Sequence, residues 1–386
     1  MPSHAAALLA TLRDQTPAML ALTERLVTID SGSHHKPGVD AVGAILADRL
    51  AALGFTIARA PLADRGDRIT ATLPLRGRGR LLILGHLDTV WPAGTVAGWR
   101  FAADGTRASG PGVGDMKSAL VMATFALEAV LRTRLPPLES IRFLLVPDEE
   151  LGSIQSRAWI EDEARAADWA LTLEPARPGG GLVTGRGAIG AVFLEATGHT
   201  AHAAVNPAKG ASAVRALAGM VAPLEALSRH DDGISVNVGI FHGGAARQVV
   251  PDHAELHLDL RARTEDDSAQ LLAAVRAIVE RPGVAGTSVA LRGGWTRPAF
   301  PRSAGTAALY ERARTIAGDL GLPVFEVQSS GGSDGSFAAA LGVPTLDGLG
   351  PVCHDTCSRD ETIEIASIAE RGAVFGALIA GLAAAP

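Results

Sequence analysis

Short apolar runs in the first half of the chain end in charged side chains. One run, LLILGHLD, covers residues 81–88, a second, SIRFLLVPDEE, covers residues 140–150, and a third, ALTLE, ends at Glu174. Consecutive apolar residues bounded by glycine or polar residues are typical of a strand that a parallel sheet buries on both faces. We therefore predict strands of a mainly parallel sheet whose last residues bring charged side chains to its carboxyl edge.

Predicted helices precede and follow these strands, and the order of predicted helices and strands changes in the middle of the chain. Residues 5–28, 38–53 and 363–382 carry apolar positions at helical spacing, which is typical of an α/β domain when such segments alternate with strands. From residue 188 to about residue 291 the order is strand, helix, two strands, helix and strand. We predict an α/β catalytic domain, residues 1–187 and 296–386, that is interrupted by an inserted α+β domain, residues 188–295. An insertion of this kind implies a cleft, where ligands commonly bind.

The tripeptide His-Leu-Asp occurs twice, and its context separates the two copies. His86 and Asp88 follow a buried run and share one side of an extended segment, so Asp88 can orient the imidazole as partners of metal-ligating histidines do. A strand-end histidine with a capping aspartate is the alternative. In the second copy, His257 and Asp259 alternate with leucines, which predicts a half-buried antiparallel strand. We assign the second copy no metal role.

Further acidic residues fall where the predicted strands end or helices begin. Asp115 directly precedes a strongly apolar helix and could be only its N-cap. Asp148, Glu149 and Glu150 would repel one another unless a cation or water accepts them. In an open α/β sheet such positions converge on the crevice at the carboxyl edge. The set suits zinc, or less specifically cobalt or manganese, and the candidate ligands are His86, Asp115, Glu150, Glu174 and His354.

The five candidate metal ligands indicate a class of reaction. If Asp115 is shared, five residues supply three ligands to each of two ions and leave an open position at each ion, as hydrolytic zinc requires. Glu149 is adjacent to a ligand but points elsewhere, so it is the candidate general base and the later proton donor to the leaving nitrogen. We therefore predict hydrolysis of an amide or peptide bond.

The charge, the cysteine content and the length of the apolar segments limit the kinds of binding partner that we expect. The 386 residues carry a net charge of −6 without a long basic run, which argues against nucleic acid or an anionic membrane as the main partner. The only cysteines, Cys353 and Cys357, form no disulfide framework and fit a reducing compartment; Cys353 could bind zinc or be a small buried residue. The first residues lack the basic start of a secretory signal, and the longest late apolar segment is too short to span a bilayer. We expect a cytoplasmic protein with a small-molecule substrate, no nucleic acid and no membrane.

Taken together, the motifs resemble the co-catalytic zinc metallopeptidase family of glutamate carboxypeptidase, aminoacylase, and the acetylornithine and succinyl-diaminopimelate deacylases. The resemblance covers nearly the whole chain, is nearest to glutamate carboxypeptidase, and rests on GHLDTV, GPGVGDMKSA, PDEELGS, the glutamate of LTLEP, GHTAHAAVNPAKGASA, GGSDGSFAA and CHDTCSRDETIEIAS. It implies a zinc-exopeptidase-like catalytic domain, two Zn²⁺ per chain, and a non-proline cis peptide after Asp115. It also implies that Asp115 bridges the ions, that Asp88 supports His86 and that Glu149 is the base, with His86 and Glu174 on one ion and Glu150 and His354 on the other.

The resemblance extends to the substrate and the inserted domain. It implies that the insert is a lid and dimerisation domain of a homodimer and that His202 reaches the oxyanion. The segment WTRPAF makes Arg297 a candidate partner for a substrate's α-carboxylate, a surface arginine being the alternative. Further candidate substrate contacts are Gly331, Gly332, Ser333 and Gln248. Gln248 and Ser212 stand where the family usually has asparagine, so the substrate stays open.

We expect a metal-dependent hydrolase that releases an amino acid with a free α-carboxylate from a short peptide or an N-acyl amino acid. An N-acyl-amino-acid deacylase of the acetylornithine or succinyl-diaminopimelate type is the alternative. A catalytically inactive metal-binding or scaffold protein is an alternative of another class. The presence of every expected ligand and of the base argues against inactivity.

Overall fold

The computed structural model describes residues 3–133, 136–281 and 283–382, and within them the chain divides into two units. The first unit comprises the residues up to Gly185, Pro301–Ser329 and the residues from Ser333 onward. The second comprises Arg186–Phe300 and Ser330–Gly332. Among the described residues no helix combines the length and apolar character that crossing a bilayer requires.

The helices and strands are numbered here in chain order. The helices are α1 (His4–Asp14), α2 (Thr16–Val27), α3 (Lys36–Ala52), α4 (Thr95–Gly98), α5 (Ser118–Thr133), α6 (Arg157–Arg165), α7 (Ala213–Glu225), α8 (Glu265–Val279), α9 (Ala304–Asp319), α10 (Gly335–Ala340) and α11 (Ile365–Gly381). The strands are β1 (Thr56–Ala60), β2 (Arg68–Pro74), β3 (Arg80–His86), β4 (Ala102–Ala103), β5 (Arg107–Ser109), β6 (Ser140–Val146), β7 (Trp169–Thr172), β8 (Gly181–Arg186), β9 (Ala188–Thr197), β10 (Ser235–Gly243), β11 (His253–Ala262), β12 (Ser288–Arg297), β13 (Phe325–Ser329), β14 (Thr345–Leu346), β15 (Cys353–His354) and β16 (Thr362–Glu364).

A six-stranded sheet in the order β1-β2-β6-β3-β7-β14 forms the centre of the first unit. Strand β3 runs parallel to β6 and β7, and β14 runs parallel to β7, whereas β1 and β2 are antiparallel. Helix α5 packs closely on this sheet, because a Cβ at Gly85 would lie only 2.6 Å from Cδ2 of Leu120. The prediction of an α/β unit with a mainly parallel sheet is confirmed.

A smaller sheet connects the end of the chain to the segment that carries Asp115. Its order is β15-β16-β5-β4, with antiparallel neighbours. Cys353 pairs with Ile363, and both pack against Gly114, where a Cβ would lie 2.3 Å from the sulfur of Cys353. This sheet therefore holds the loop between β15 and β16 beside Asp115.

The second unit is built on a four-stranded antiparallel sheet in the order β10-β11-β9-β12. Helices α7 and α8 pack on one face and share a core with the inward-facing side chains of the strands. In β11, Leu256, Leu258 and Leu260 are buried, while His257 and Asp259 lie on the other face. The second His-Leu-Asp copy thus lies on a half-buried strand, as its alternation predicts.

Candidate metal centre and active site

Three neighbouring strands deliver charged side chains to one edge of the central sheet. In the parallel register, His86 at the end of β3 pairs with Val146 at the end of β6, and Leu84 pairs with Thr172 at the end of β7. Because the chain leaves all three strands in the same direction, the following residues converge at this edge. Asp115 joins them from the turn that precedes α5.

The side chains at this edge lie close enough to share cations. Nε2 of His86 lies 2.9 Å from Oδ1 of Asp115 and 3.9 Å from Oε1 of Glu174, and all three residues are buried. Two groups have potential ligand atoms within 4.8 Å of one another: His86 with Glu149 and Glu174, and His86 with Asp115 and Glu150. The structure thus brings together four predicted ligands and the predicted base.

Asp88 orients both the histidine and the two glutamates. Its backbone carbonyl lies 2.9 Å from Nδ1 of His86, and its carboxylate lies 3.5 Å from the same nitrogen. An Nδ1–H that donates to Asp88 leaves Nε2 free to bind a metal. The carboxylate of Asp88 also accepts the backbone N–H groups of Glu149 and Glu150, at 3.1 and 3.2 Å. Ser33 donates its hydroxyl to Asp88 at 2.7 Å; this residue lies in a polar loop that carries no local motif.

Burial and mutual repulsion dominate the electrostatics of the cluster. Burial, followed by the negative charge of Asp115, raises the pKa of Glu150 and that of Glu174 well above the usual range. Burial lowers the pKa of His86, but its hydrogen bonds to Asp115 and Asp88 outweigh this effect and hold the pKa well above 6.5. Buried carboxylates that repel one another favour a bound cation.

An orphaned acceptor provides a direct test of whether the site fits metal ions. Oε1 of Glu150 is buried and has no hydrogen-bond partner among the described residues. A buried carboxylate oxygen without a donor costs free energy unless a cation binds it. The neighbouring donors, one imidazole nitrogen and several carboxylate oxygens, are those that zinc, cobalt and manganese use. The residues present therefore fit divalent metal ions.

Glu361 fixes the backbone on either side of the cluster and was not among the predicted residues. Its Oε1 accepts the N–H groups of Gly114 and Asp115, at 2.8 and 3.4 Å, and its Oε2 accepts the N–H of Cys357 at 2.9 Å. Burial, followed by the charge of Asp115, raises the pKa of Glu361 to about 7. The peptide bond between Asp115 and Met116 is cis, as the resemblance implies.

The two groups of donor atoms do not include His354. In the pairing of β15 with β16, His354 lies opposite Thr362, on the face away from Cys353 and Gly114. Its Nε2 lies 2.8 Å from Oε1 of Glu364. The role of His354 as a metal ligand therefore stays a prediction.

The predicted oxyanion residue lies on an exposed loop of the second unit. Nδ1 of His202 accepts the backbone N–H groups of Ala204 and Val205, each at 3.2 Å. Because Nδ1 is an acceptor, the neutral ring carries its proton on Nε2, which can donate to an oxyanion. The N–H of Ala203 donates to the carbonyl of Gln248 at 2.9 Å, so Gln248 and His202 lie on neighbouring segments.

Arg297 at the end of β12 is only 3% exposed and is not a surface arginine. Its Cδ and Nε lie against Gly332, where a Cβ would come within 2.8 Å of both atoms. The carbonyls of Gly331 and Gly332 each accept a hydrogen bond from Arg186 at 2.9 Å. In the first unit, the hydroxyl of Ser333 accepts the N–H of Gly335 at 3.0 Å at the start of α10. The guanidinium of Arg297 thus lies beside a glycine that leaves it space.

Known proteins resemble this chain over most of its length. The sequence model of Peptidase family M20/M25/M40 matches residues 82–381. Carboxypeptidase G2 of Pseudomonas sp. (strain RS-16) is 31% identical over 381 residues, which cover 96% of this chain and 91% of that protein. Succinyl-diaminopimelate desuccinylase of Xanthomonas oryzae pv. oryzae is 30% identical over 359 residues, which cover 87% of this chain and 92% of that protein.

The fold has close counterparts among solved structures. The crystal structure of aminopeptidase PepT from Bacillus cereus ATCC 10987 superposes with a TM-score of 0.77 at 22% sequence identity. The superposition covers 95% of this chain and 99% of that one. The fold is therefore shared by a protein with little sequence in common.

Proposed function

Because the chain belongs to peptidase family M20/M25/M40, we propose that it is a metal-dependent hydrolase that releases an amino acid with a free α-carboxylate from a peptide or N-acyl precursor. The observation that carries this proposal is the buried cluster of His86, Asp115 and Glu174, with Glu149 beside it. The similarity to carboxypeptidase G2 favours cleavage of a carboxy-terminal amino acid. The similarity to succinyl-diaminopimelate desuccinylase supports the second candidate, removal of an acyl group from an amino acid.

Two divalent ions are the proposed cofactors, zinc first and cobalt or manganese as alternatives. His86 and Glu174 would hold one ion, Glu150 and His354 would hold the other, and Asp115 would be shared between them. The two overlapping groups of donors and the orphaned oxygen of Glu150 support this assignment. When bound, the ions polarise the scissile carbonyl and stabilise the negative charge that develops on its oxygen.

Glu149 is the proposed general base. Its carboxylate takes a proton from the attacking water and passes it to the nitrogen of the leaving amine. The same residue therefore accepts and later donates the transferred proton. Its backbone is fixed by Asp88, and its side chain is only 9% exposed in a site rich in negative charge.

Arg297, His202, Gln248 and Gly331 of the second unit and Ser333 of the first are the proposed substrate contacts. Arg297 would pair with the α-carboxylate through two parallel hydrogen bonds, which a planar guanidinium makes well. Its burial against Gly332 supports this role, because a fixed guanidinium loses little entropy on binding. His202 would donate from Nε2 to the developing oxyanion, with Gln248, Gly331 and Ser333 as further contacts.

A substrate panel on metal-replete protein tests the proposed function. The panel compares peptides and N-acyl amino acids that end in glutamate with N-acetylornithine, N-succinyl-diaminopimelate and unmodified dipeptides, and identifies the amino acid released. Release of glutamate from the first class supports the carboxypeptidase-like assignment. Release only from acylated basic amino acids would replace it with the deacylase assignment, and no release from any member would contradict both.

We also propose a cytoplasmic homodimer that assembles through the second unit. Both cysteines are free thiols, which suits a reducing compartment. Strand β10 is an edge strand that exposes Ile240 and Phe241, and an edge of this kind favours pairing with another chain. Light scattering coupled to size-exclusion chromatography measures the mass directly, and a monomer at all concentrations would contradict the dimer.

A further inference from the structure

Arg359 is held against two tryptophans in the first unit. Its guanidinium carbon lies 5.0 Å from the ring centroid of Trp91 and 5.2 Å from that of Trp99. The two indole rings meet edge to face, with their centroids 5.0 Å apart and their planes at 84°. The guanidinium therefore contacts two perpendicular aromatic rings, and these cation–π contacts fix its position.

The loop that carries both tryptophans is itself fixed. The carboxylate of Asp30 accepts the backbone N–H groups of Gly94 and Val96, at 2.6 and 3.0 Å. The backbone of Trp91 packs so closely on Gly32 that a Cβ at residue 32 would lie 2.2 Å from the carbonyl oxygen of Trp91. Because a fixed backbone presents both rings, little conformational entropy remains to be lost when a ligand binds the arginine.

The two loops that meet at Arg359 both lead to the metal cluster. Trp91 follows Asp88 by three residues, and Arg359 precedes Glu361 by two residues. Oε1 of Glu361 accepts the backbone N–H of Asp115 at 3.4 Å. Three residues of chain span at most about 11 Å, so the arginine lies at the same edge of the first unit as the proposed metal ligands.

The guanidinium of Arg359 has no hydrogen-bond acceptor within the part of the chain that the structure describes. Asp355 and Asp360 share its loop, and neither pairs with it, whereas the exposed Arg302 and Arg314 each pair with a glutamate. Indole rings offer no hydrogen-bond acceptor, so all five N–H groups of the arginine remain for a ligand. A planar guanidinium donates two parallel hydrogen bonds to a carboxylate.

We propose that Arg359, held by Trp91 and Trp99, binds a second carboxylate of the substrate in addition to the α-carboxylate. The inference rests on the function proposed above, because it narrows the substrate of that reaction. The second carboxylate has two sources, one on each side of the scissile amide: a dicarboxylic acyl group, or the acidic side chain of the amino acid that is released. With either source, the enzyme prefers substrates that carry two carboxylates to substrates that carry one.

Two matched pairs of substrates test the proposal on metal-replete protein. N-succinyl-alanine and N-butyryl-alanine differ in a carboxylate on the acyl group, and N-acetyl-glutamate and N-acetyl-glutamine differ in a carboxylate on the side chain. We expect the wild type to prefer the charged member of one pair by about 10-fold or more in kcat/KM, the factor that one hydrogen bond to a charged group gives. Arg359→Gln should lose this preference through a higher KM for the charged member, with kcat and the uncharged member unchanged.

Three further variants separate recognition from a structural role. Arg359→Lys keeps the charge without the paired donors and should keep part of the preference. Trp99→Leu leaves the arginine but removes one of the rings that hold it, and should weaken the preference. Arg76→Gln, at an exposed position between β2 and β3, is the matched control and should keep the full preference. A purely structural role would change the charged and uncharged members alike.

The proposal is overturned if the wild type prefers the charged member of neither pair, if Arg359→Gln keeps the preference, or if Arg359→Gln lowers activity equally on all four compounds. Loss of preference in the first pair places the second carboxylate on the acyl group, and loss in the second pair places it on the released amino acid.

A binding measurement separates this inference from the proposed function. Calorimetric titration of Glu149→Gln, alone and combined with Arg359→Gln, measures the same preference as a ratio of dissociation constants and requires no turnover. A wild type that hydrolyses none of the four compounds, together with a binding preference that Arg359→Gln removes, contradicts the proposed function and leaves this inference intact. Equal dissociation constants for the charged and uncharged members of both pairs overturn the inference whatever the activity.

Discussion

Asp88 accepts a hydrogen bond from the backbone N–H of Glu149, with 3.1 Å between Oδ1 and the nitrogen. The other carboxylate oxygen accepts the N–H of Glu150, and the backbone carbonyl of Asp88 lies beside Nδ1 of His86. One buried aspartate therefore sets the positions of a proposed ligand on β3 and of the proposed base and ligand that follow β6. Its proposed role is to position these groups rather than to bind an ion itself.

Replacing Asp88 by asparagine should weaken both metal binding and catalysis. The amide presents an N–H group where a backbone N–H or the Ser33 hydroxyl now finds an oxygen, so at least one donor loses its acceptor. Changes to residues that orient metal ligands typically cost about 10- to 100-fold in affinity or activity. Metal content after dialysis and kcat/KM measure the two effects. Asp48→Asn, an exposed change on α3, is the control, and equal metal content in both variants would contradict the positioning role.

Replacing Glu149 by glutamine should separate chemistry from metal binding. The amide keeps the size of the side chain but cannot take a proton from water, so kcat should fall by about 10²- to 10⁴-fold. The metal content should stay at the wild-type level, because Glu149 is not a proposed ligand. Elemental analysis and steady-state kinetics check the two parts. Glu311→Gln, on the exposed side of α9 where Glu311 pairs with Arg314, is the matched control. Full activity of Glu149→Gln would exclude the residue as base.

The local pattern of apolar residues predicted the strands of the central sheet and most of the charged residues that gather at its edge. The apolar run of β3 indicated a strand buried on both faces, and parallel strands necessarily place their carboxyl ends at one edge. The charged residues that follow β3, β6 and β7 could therefore be grouped without a structure. The confirmed fold follows from the same reasoning.

The sequence pattern did not predict contacts between residues far apart in the chain or the direction in which a very short strand faces. Ser33 reaches Asp88 across 55 residues and Glu361 reaches Asp115 across 246 residues, and no local spacing encodes such pairs. The direction in which His354 points depends on the facing of a two-residue strand. A shift by one residue reverses the facing of a strand, so a pattern this short does not determine it.

The buried amine of Lys117 predicts a specific pH dependence of stability. Its Nζ donates to the carbonyl of Ile29 at 2.8 Å, and burial lowers its pKa from 10.5 to about 7, against the opposing charges of Asp30 and Glu361. Between these two pH values the unfolded chain holds the proton and the folded chain does not. The contribution of this group to the free energy of unfolding therefore rises with pH across that range, by up to about 1.4 kcal/mol per pH unit, and is lost as the pH falls through about 7.

Lys117→Met removes this titration and should flatten the pH dependence. Urea unfolding of wild type and variant at two pH values between the folded and unfolded pKa of Lys117 gives the difference in slope directly. Lys209→Met, at an exposed position of the second unit, is the control and should follow the wild type. Equal slopes in the wild type and Lys117→Met would show that the amine keeps its proton in the folded state.

Gly332 leaves room for the side chain of Arg297, and filling that room should impair substrate binding. A Cβ at residue 332 would lie 2.8 Å from both Cδ and Nε of Arg297, which is closer than side-chain atoms approach without moving. In Gly332→Ala the buried guanidinium must shift, and misplacement of a positioning group by about 1 Å can cost about 100-fold in kcat/KM. We expect most of the fall in kcat/KM to come from a higher KM, because Arg297 is proposed to bind the substrate carboxylate. The metal content should stay unchanged, because Arg297 is not a proposed metal ligand. Gly219→Ala, where a Cβ meets nothing within 4 Å, is the matched control. An unchanged KM for Gly332→Ala, together with normal binding by Arg297→Lys, would exclude Arg297 as the carboxylate partner.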